Sequence, residues 1–196
     1  MNVYDFDNTI FNGDTEDRFF DYIFARRKDL WVYKLNHDFW EHFYKCRWFE
    51  DKTWIRELQY LVLRKLDNVD EMIDGYCEES FQYIQPWYLE VKRPDDVIAT
   101  GSPVFLVAPI LKKLGISGLV ATDLNKHTGK ITGHFANYGF KVTEFQKKYN
   151  LDDIDEFYSD AWSDHYIAKY AKKAYLVHGD GQRTEWNEYF STHPKK

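Results

Sequence analysis

Residues 1–9 of the chain read MNVYDFDNT, a short apolar run that leads into an acidic turn. Val3 and Tyr4 predict a buried strand, and Asp5 and Asp7 follow it directly. Two aspartates in a turn are common, because short acidic side chains favour turns. The stretch therefore indicates a functional site only if other strands of the chain end in residues of matching chemistry.

The segment from residue 14 to residue 85 has the periodicity of helices. Apolar residues recur in it at intervals of three and four: Phe19, Phe20, Ile23 and Phe24; Trp31, Leu35, Phe39 and Phe43; Trp54, Leu58, Leu61 and Leu63. No proline occurs before Pro86, so three or four helices can follow one another, with joints predicted at residues 67–68 and 74–75. We interpret the aromatic residues of this segment as packing, with at most one or two rings facing a ligand.

Beyond Pro94, predicted strands and helices alternate. Strands are expected at residues 97–100, 119–122, 156–158 and 174–177, and helices after residue 103, from 141, from 163 and around 186–190. This alternation predicts an α/β fold with a doubly wound, Rossmann-like, mainly parallel sheet. The helical segment, inserted after the first strand, would lie over the carboxyl ends of the strands, where such sheets bind ligands. We therefore expect a core domain of residues 1–13 and 86–196 and a helical cap domain of residues 14–85.

The charge balance argues against one class of partner. The chain has 26 Lys and Arg against 32 Asp and Glu, a net charge of −6, whereas nucleic-acid binding requires a basic face. One local positive site still suffices for a small anionic substrate. The longest uncharged run, residues 97–111, is shorter than the roughly 20 residues that span a bilayer. No signal-peptide pattern is evident, so we expect a cytoplasmic protein without membrane contacts.

Cysteine and histidine usage indicates neither a disulfide framework nor a zinc site. Cys46 and Cys77 lie in no CxxC or Cys/His spacing, so both are expected to be free thiols. The seven histidines include no HxH or HxxxH pair, the spacings typical of zinc ligands on one strand or helix. Residues 178–181, which read HGDG, follow the last predicted strand and are interpreted as a turn.

Residues 97–103, which read VIATGSP, have the chemistry of an anion site at the end of a strand. Thr100 and Ser102 supply hydroxyl groups, and Gly101 supplies an amide that no side chain obstructs. A helix is predicted to begin directly afterwards, and helix N-termini favour anions. The end of this strand therefore offers groups that can bind a phosphate, and they complement the aspartates that follow the first strand.

Three charged residues complete this chemistry at other predicted element ends. Lys141 lies at the start of a helix, and Asp160 and Asp164 lie just past the strand at residues 156–158. The carboxyl ends of parallel strands meet at one edge of a sheet, so we expect these side chains to converge. Carboxylates, hydroxyls and one ammonium can hold a phosphate beside a divalent cation, and Mg²⁺ prefers such oxygen ligands.

Taken in order, five motifs resemble those of haloacid dehalogenase-like phosphatases, in particular the branch similar to phosphoserine phosphatase. They are DFDNT at 5–9, IATGS at 98–102, KITG at 130–133, GFK at 139–141 and YSDAWSD at 158–164. The resemblance covers nearly the whole chain, although residues 14–85 match only in length and helicity. It implies a core sheet with a helical cap, Mg²⁺ as cofactor and a small phosphorylated metabolite as substrate.

For catalysis, the resemblance implies that Asp5 attacks phosphorus and becomes an aspartyl-phosphate. Asp7 would protonate the leaving alkoxide and later deprotonate the hydrolytic water. Lys141 would neutralise the phosphate and offset its repulsion with the nucleophile.

For ligand binding, the resemblance implies two sets of residues that share some members. The phosphate would be held by Thr100, Gly101, Ser102, Lys141 and Ser163. The metal would be held by Asp5, Asp7 (through its main-chain carbonyl), Asp160 and Asp164.

Substrate specificity would come from the cap, where Asp14 and Arg56 are the candidates. Asp14 stands where phosphoserine phosphatases usually have a Glu that reads the substrate amino group. Phe49, Glu50 and Arg56 are similar to their cap segment, whose Arg pairs with the substrate carboxylate. A lone Arg on a charged helix is also commonly a solvated surface residue. Ser163 stands where these enzymes usually have Asn, so the resemblance does not require phosphoserine itself.

Three other functions share part of this pattern. A haloacid dehalogenase also uses an aspartate nucleophile, but it has no alkoxide for Asp7 to protonate. A receiver-like signalling domain also combines acids, a Thr and a Lys around Mg²⁺, but it has no equivalent of Asp7 or of the helical segment. A catalytically silent member of the family, retained for protein contacts, would not need every catalytic position filled, as they are here.

Overall fold

The computed structural model describes residues 1–45, 53–133, 135–136 and 139–193. The strands in these ranges are β1 (Asn2–Tyr4), β2 (Val97–Pro103), β3 (Gly118–Thr122), β4 (Glu156–Ser159), β5 (Lys173–Val177) and β6 (Arg183–Glu185). They form one sheet in the order β3-β2-β1-β4-β5-β6, in which every neighbouring pair is parallel except β5 and β6. The predicted doubly wound, mainly parallel α/β fold is confirmed.

The strand order places β1 at the centre of the sheet. Val3 pairs with Val97 of β2 on one side and with Phe157 of β4 on the other. The chain builds outward from β1 to β3 and then adds β4 to β6 on the opposite side, so the order reverses between β1 and β4. Doubly wound sheets bind ligands beyond the carboxyl ends of their strands at such a reversal. Asp5 and Asp160 are the first residues after these two strands.

The two apolar residues of β1 point to opposite faces of the sheet. Val3 packs in one buried cluster with Val97 and Phe157, whereas Tyr4 belongs to the other cluster. The ring of Tyr4 stacks on that of Tyr158, with centroids 4.7 Å apart. Burial on both faces explains why the strand is apolar without alternation, and it holds the register that places Asp5 at the edge.

Helices fill the segment between β1 and β2 and connect the later strands. Their bounds are α1 (Thr15–Arg26), α2 (Trp31–Lys45), α3 (Thr53–Gln59), α4 (Val69–Ser80), α5 (Pro86–Val91), α6 (Val104–Leu114), α7 (Gly139–Gln146), α8 (His165–Ala168) and α9 (Trp186–Thr192). Residues 14–85, named the insertion below, are helical wherever the structure describes regular elements in them, which confirms the predicted insertion after the first strand. No helix in the described ranges is both long and apolar enough to cross a bilayer.

The insertion begins at a capped turn beside β1. The Asp14 side chain accepts hydrogen bonds from the N–H groups of Glu16 and Asp17 at 2.9 and 3.0 Å, as an N-cap aspartate does. The N–H of Thr15 donates to the Asp7 carboxylate at 2.7 Å. The first turn of α1 is therefore bonded directly to the acidic turn that follows β1.

One of the two joints predicted in the insertion is wrong. The joint at residues 67–68 exists, since α4 begins directly after Asn68. The joint at residues 74–75 does not, because α4 continues unbroken through Gly75. A Cβ atom at Gly75 would collide with the Tyr22 hydroxyl, so close packing rather than a turn accounts for this glycine.

The apolar stripe of α2 is largely exposed. Trp31, Leu35 and Phe39 expose 61%, 59% and 54% of their surface. The expectation that the aromatic residues of the insertion are packing is confirmed for buried rings such as Phe19, Phe20, Tyr60 and Tyr76, but not for Trp31 and Phe39. Among residues 31–43 of this helix, His37 is the buried one, and its ring centroid lies 4.1 Å from that of Phe20. Periodicity identifies an apolar face, but the neighbouring elements decide which face is covered.

The antiparallel strand β6 has no signal in the sequence. Residues 178–181 are confirmed as a turn, in which the N–H of Gly181 donates to the carbonyl of His178 at 2.7 Å. This turn joins β5 to β6, where Leu176 pairs with Thr184. β6 is three residues long and has no apolar alternation, so it lacks the pattern by which strands are recognised.

Candidate active site

A cavity of about 250 Å³ opens at the carboxyl edge of β1, β2 and β4. The residues that line it are Asp5, Asp7, Asn8, Asp14, Glu16, Arg56, Thr100, Gly101, Ser102, Phe135, Lys141, Asp160, Ser163 and Asp164. Every site residue predicted from the sequence is in this lining, including the two candidates from the insertion. The structure thus brings together residues that are far apart in the chain.

Lys141 lies between two carboxylates. Its Nζ is 2.9 Å from Asp5 Oδ1 and 2.6 Å from Asp164 Oδ1, and the lysine is 3% exposed. The Ser159 hydroxyl donates to Asp164 Oδ2 at 2.7 Å and so orients the second carboxylate. The ammonium of Lys141 is therefore fixed at the edge of the sheet, in contact with Asp5.

The carboxylates here outnumber the ammonium, and their pKa values reflect it. Burial raises the pKa of Asp5 to about 7; Lys141 opposes this shift, while Asp164 and Asp160 add to it. Burial and then Asp164 raise the pKa of Asp160 to about 6. Burial lowers the pKa of Lys141, but Asp164 and Asp5 outweigh it and raise the pKa overall. Lys141 thus keeps its proton, and this single ammonium is too little positive charge to offset the carboxylates around it.

Asp7 is held by donors from two elements, β2 and α1. Its Oδ2 accepts a hydrogen bond from the Ser102 hydroxyl at 2.6 Å and lies 3.5 Å from Thr100 Oγ1, and its Oδ1 accepts the N–H of Thr15. Burial, followed by the charge of Asp14, raises its pKa well above the usual range. Asp7 is therefore oriented and disposed to carry a proton, which suits a general acid.

The last residues of β2 form the uncharged wall of the cavity. Thr100 Oγ1 accepts the N–H of Ser102 at 3.0 Å, so this turn is closed on itself. Thr122 donates to the carbonyl of Gly101 at 2.5 Å, which fixes the peptide that carries the Gly101 oxygen. Ser102 was expected to offer its hydroxyl to a phosphate, but in this structure that hydroxyl is bonded to Asp7. Ser163 also lines the cavity, in the 3₁₀ turn Trp162–Asp164.

The donor set at the cavity fits a divalent cation. Asp5, Asp160 and Asp164 supply carboxylate oxygens, the ligands that Mg²⁺ prefers. Asp164 Oδ1 is buried and makes no well-directed hydrogen bond, although it is in ion contact with Lys141. A cation there would supply the positive charge that these carboxylates lack.

A second group of metal-type ligands lies outside the cavity lining. Asp17, His37 and Glu41 each offer one ligand atom, and these atoms lie within 4.8 Å of one another. Glu41 accepts a hydrogen bond from Gln59 at 2.6 Å, and His37 Nδ1 lies 3.4 Å from Asp38, so both are parts of a polar network within the insertion.

The insertion contributes a buried ion pair to the cavity. Arg56 Nη1 lies 3.4 Å from Glu16 Oε2, and the two residues are 8% and 3% exposed. The Tyr60 hydroxyl donates to the same Glu16 oxygen at 2.6 Å, and Arg56 Nη1 also lies 3.4 Å from Gln59 Oε1. Burial raises the pKa of Glu16 to about 7, with Arg56 opposing. Arg56 is thus buried in the cavity wall rather than solvated.

The remaining insertion candidates differ in outcome. Asp14 lines the cavity but uses Oδ1 to cap α1. Phe49 and Glu50 lie outside the described residues, so their resemblance to the cap segment stays a prediction.

Four residues at or beside the cavity were not predicted from the sequence: Asn8, Glu16, Phe135 and Ser159. An acid in the first turn of a helix, such as Glu16, is normally explained by the helix dipole. Phe135 lies in an irregular segment, and Asn8 has φ 55°, a left-handed conformation that Asn tolerates. Ser159 touches Asp164 from the end of β4. The signal in the sequence that could have identified Asn8 and Ser159 is their position inside the DFDNT and YSDAWSD motifs.

Comparisons with solved structures show the same architecture. A protein with unknown function from Bordetella pertussis Tohama I is 20% identical, with a TM-score of 0.75 over 90% of this chain and 89% of that one. A phosphoserine phosphohydrolase-like protein from Francisella tularensis subsp. tularensis SCHU S4 is 14% identical, with a TM-score of 0.56 over 92% and 88%. A phospho-aspartyl intermediate analogue of phosphoserine phosphatase is 20% identical, with a TM-score of 0.54 over 88% and 83%. At these identities the likeness concerns the fold.

The comparison of sequences gives the family. No curated protein matches the chain significantly. A family model of haloacid dehalogenase-like hydrolases matches residues 3–169, a stretch that contains most of β1, all of β2 to β4 and every predicted site residue. The chain belongs to the haloacid dehalogenase-like hydrolase family.

Proposed function

We propose that this chain is a magnesium-dependent phosphatase that hydrolyses a small phosphomonoester through an aspartyl-phosphate on Asp5. One observation carries the proposal: the carboxylate that follows β1 shares a buried cavity with Asp7 and is in contact with Lys141 at 2.9 Å. A nucleophile, a proton-carrying acid and a fixed ammonium in one cavity are what phosphoryl transfer requires.

In the first step, an Asp5 oxygen attacks the phosphorus of the ester. The new O–P bond forms as the bond from phosphorus to the ester oxygen breaks. The departing alkoxide takes the proton of Asp7, whose raised pKa favours the protonated form. The products of this step are the free alcohol and a phosphorylated Asp5.

In the second step, Asp7 acts as a base instead of an acid. Now ionised, it takes a proton from a water molecule, whose oxygen attacks the phosphorus of the aspartyl-phosphate. The bond between Asp5 and phosphorus breaks, inorganic phosphate leaves, and both carboxyl groups return to their starting states. Thr15 and Ser102 hold Asp7 in the orientation that both steps use.

The other residues of the cavity stabilise charge. Lys141 neutralises phosphoryl oxygens as charge develops on them, and Thr100 with the amide of Gly101 offers hydrogen bonds to the same oxygens. Asp5, Asp160, Asp164 and the main-chain carbonyl of Asp7 would hold Mg²⁺, which lowers the repulsion between the phosphate and the carboxylates when bound.

The insertion acts in this proposal as the cap that excludes water from the reaction. It contributes Asp14, Glu16 and Arg56 to the lining, so it contacts the alcohol part of a bound ester. The substrate in this proposal is a small phosphorylated metabolite, which a cavity of about 250 Å³ can accommodate.

The test uses p-nitrophenyl phosphate, whose leaving group needs little help from an acid. The wild-type protein should release many equivalents of p-nitrophenol with Mg²⁺ and none with EDTA. The Asp7→Asn variant should release about one equivalent rapidly and then stop, because the phosphorylated Asp5 lacks the base that activates water. The exposed Asp152 provides the matched control, and Asp152→Asn should behave as wild type.

Two outcomes would contradict the proposal. A wild-type protein that stops after one equivalent would be a receiver-like domain rather than a phosphatase. Continued turnover by Asp7→Asn at the wild-type rate would remove Asp7 from both proton transfers.

A further inference from the structure

We propose that Asp17, His37 and Glu41 bind a divalent transition-metal ion of the zinc type, at a site separate from the carboxylates at the edge of the sheet. All three residues belong to the insertion, Asp17 to α1 and the other two to α2. Each offers one ligand atom, and these atoms lie within 4.8 Å of one another. The inference goes beyond the proposed phosphatase function and does not depend on it.

The tautomer of His37 is fixed by its neighbour in the chain. Nδ1 of His37 lies 3.4 Å from Asp38 Oδ1, and Lys34 contacts the other oxygen of the same carboxylate at 3.0 Å. Burial opposes the ionisation of Asp38, but Lys34 and His37 outweigh it and lower the pKa of Asp38. Because an ionised carboxylate only accepts hydrogen bonds, Nδ1 carries the proton and Nε2 carries the lone pair.

The Nε2 atom of His37 is buried and has no hydrogen-bond partner among the described residues. The residue is 7% exposed, and its ring packs against that of Phe20. Burial lowers the pKa of His37, with Asp38 and Glu41 opposing, so the neutral imidazole is favoured. A buried acceptor without a donor costs free energy, and a metal ion can compensate it, because neutral imidazole is the form that binds metals.

Asp17 and Glu41 supply the anionic ligands. His37 and Glu41 are four residues apart in α2, a spacing that puts two side chains on one face of a helix. Ligand atoms around zinc lie about 3.3 Å apart, and the exposed side chain of Asp17 can move to that spacing. Glu41 accepts a hydrogen bond from Gln59 at 2.6 Å, and a carboxylate has about four lone-pair sites, so it can accept this bond and ligate a metal at the same time.

The donor set favours zinc over magnesium. One imidazole nitrogen and two carboxylate oxygens suit Zn²⁺, which takes four ligands in most sites, one of which can be water. Mg²⁺ and Ca²⁺ prefer oxygen ligands alone. Histidines that bind a metal usually donate their other ring N–H to a carboxylate or a carbonyl, and His37 and Asp38 have this arrangement.

Histidine spacing in the sequence does not indicate this site, since the chain contains no HxH or HxxxH pair. The pair on α2 combines a histidine with a glutamate, and the third ligand comes from another helix. Folding of the insertion is what brings the three side chains together.

The site is connected to the wall of the cavity through Gln59. This side chain donates to Glu41, and its Oε1 lies 3.4 Å from Arg56 Nη1. Asp17 directly follows Glu16, the partner of Arg56, in α1. A metal held by Asp17 and Glu41 would therefore join the helices that form this side of the cavity, which is a structural role rather than a catalytic one.

Zinc binding by the whole protein tests the inference, measured as competition with a chromophoric chelator in the presence of excess Mg²⁺. The wild-type protein should bind one Zn²⁺ whose X-ray absorption spectrum contains the scattering of an imidazole ring. Zinc at the edge of the sheet would lack this signature, because no histidine is among the described residues that line the cavity. The same ion should raise the melting temperature.

Three variants assign the ligands. His37→Gln should weaken the binding of this ion by about a hundredfold or more, and Asp17→Asn by about tenfold or more, since each loses a direct ligand. Asp38→Asn should weaken it by about tenfold, because Asp38 only orients the imidazole. Asp17 is exposed, so its variant tests the site without the loss of packing that His37→Gln entails.

Matched controls are the exposed His127 and Asp152. His127→Gln and Asp152→Asn make the same chemical changes elsewhere and should bind zinc as the wild type does. The inference would be overturned by a protein that binds no zinc with an imidazole ligand. Equal zinc affinity in wild type, His37→Gln and Asp17→Asn would overturn it as well, and binding that is lost instead in Asp160→Asn would place the zinc at the edge of the sheet.

Discussion

Two buried ion-pair clusters face the same cavity, and they are built on opposite principles. At the edge of the sheet, Asp5, Asp160 and Asp164 surround the single ammonium of Lys141, and the carboxylates are in excess. In the insertion, Glu16 and Arg56 satisfy each other one to one. The first cluster has surplus carboxylates, whereas the carboxylate of the second is compensated by Arg56 and Tyr60.

The two clusters differ in the ratio of carboxylates to cations, and this ratio affects what each cluster gains from a bound ion. A cluster with surplus carboxylates is unstable by itself and gains from binding a metal, so it suits catalysis. A buried carboxylate that already has a cation and a hydrogen-bond donor gains less from a further positive charge. Four predictions would break or sharpen the contrast.

The largest effect is expected for Asp5→Asn. An amide is a poor nucleophile, so turnover of p-nitrophenyl phosphate should fall by at least about a thousandfold. Without Mg²⁺, however, the melting temperature should hold or rise, because one member of the repelling carboxylate cluster is gone. Steady-state rates and thermal melts of the same preparation measure both. A stable variant that keeps more than a few per cent of the rate would remove Asp5 as nucleophile.

Arg56→Met should have the opposite effect on stability. It leaves the Glu16 carboxylate buried beside Tyr60 without its cation, which costs about 3 kcal/mol in the free energy of unfolding. Urea denaturation at pH 8 measures this cost. The control is Arg27→Met, which breaks the exposed pair with Asp29 and should leave the denaturation midpoint unchanged. Equal effects of the two substitutions would show that Arg56 does not compensate the buried carboxylate of Glu16.

Lys141→Ala should reduce kcat/KM by about a hundredfold or more, through a lower kcat and a higher KM. The reason is that the ammonium contacts the phosphoryl group in both the ground state and the transition state. Lys172→Ala, which removes an exposed lysine paired with Asp155, is the matched control. A near-normal rate in Lys141→Ala would mean that this lysine serves only to hold Asp5 and Asp164.

The smallest effect concerns pH. The pKa values of Asp5 and Asp160 are raised to about 7 and about 6 in the folded protein, above the usual value of 3.8 that applies in the unfolded chain. The folded state therefore binds more protons, so the stability of the metal-free protein should decline as pH rises from about 4 to about 7.

Added Mg²⁺ competes with those protons, so the stabilisation that it confers should increase over the same range. Thermal melts at pH 5, 6, 7 and 8, with and without Mg²⁺, measure both trends. Asp5→Asn should flatten the decline. A stabilisation by Mg²⁺ that does not depend on pH would place the metal away from these carboxylates.

The core cluster could be predicted from the sequence because its chemistry is local. Asp5 follows the apolar residues of β1, Thr100 lies in β2 and Asp160 follows β4, so each is marked by the strand that carries it. Parallel strands in a doubly wound sheet direct their carboxyl ends to one edge, so strand ends that are distant in the chain converge there. A cavity lined by these residues lies at this edge, and their role as the functional site stays a prediction.

The insertion could be predicted only in outline. Its periodicity indicated helices, but not that Trp31 and Leu35 would be exposed, nor that α4 would continue through Gly75. Helical periodicity identifies apolar positions but not which of them another element covers. A glycine that permits close packing is also the same residue type as a glycine that ends a helix, so the sequence does not distinguish them. Which alternative holds depends on the elements that pack against the helix.

The sequence by itself determined the fold class and the chemistry at the edge of the sheet, because strand burial and the residue types after each strand are properties of short segments. The tertiary structure alone decided that Glu16 meets Arg56 and Tyr60, three residues from different elements of the insertion that no motif connects. Charge pairing of this kind depends on distance and burial, and both arise only when helices with separate periodicities are packed against one another.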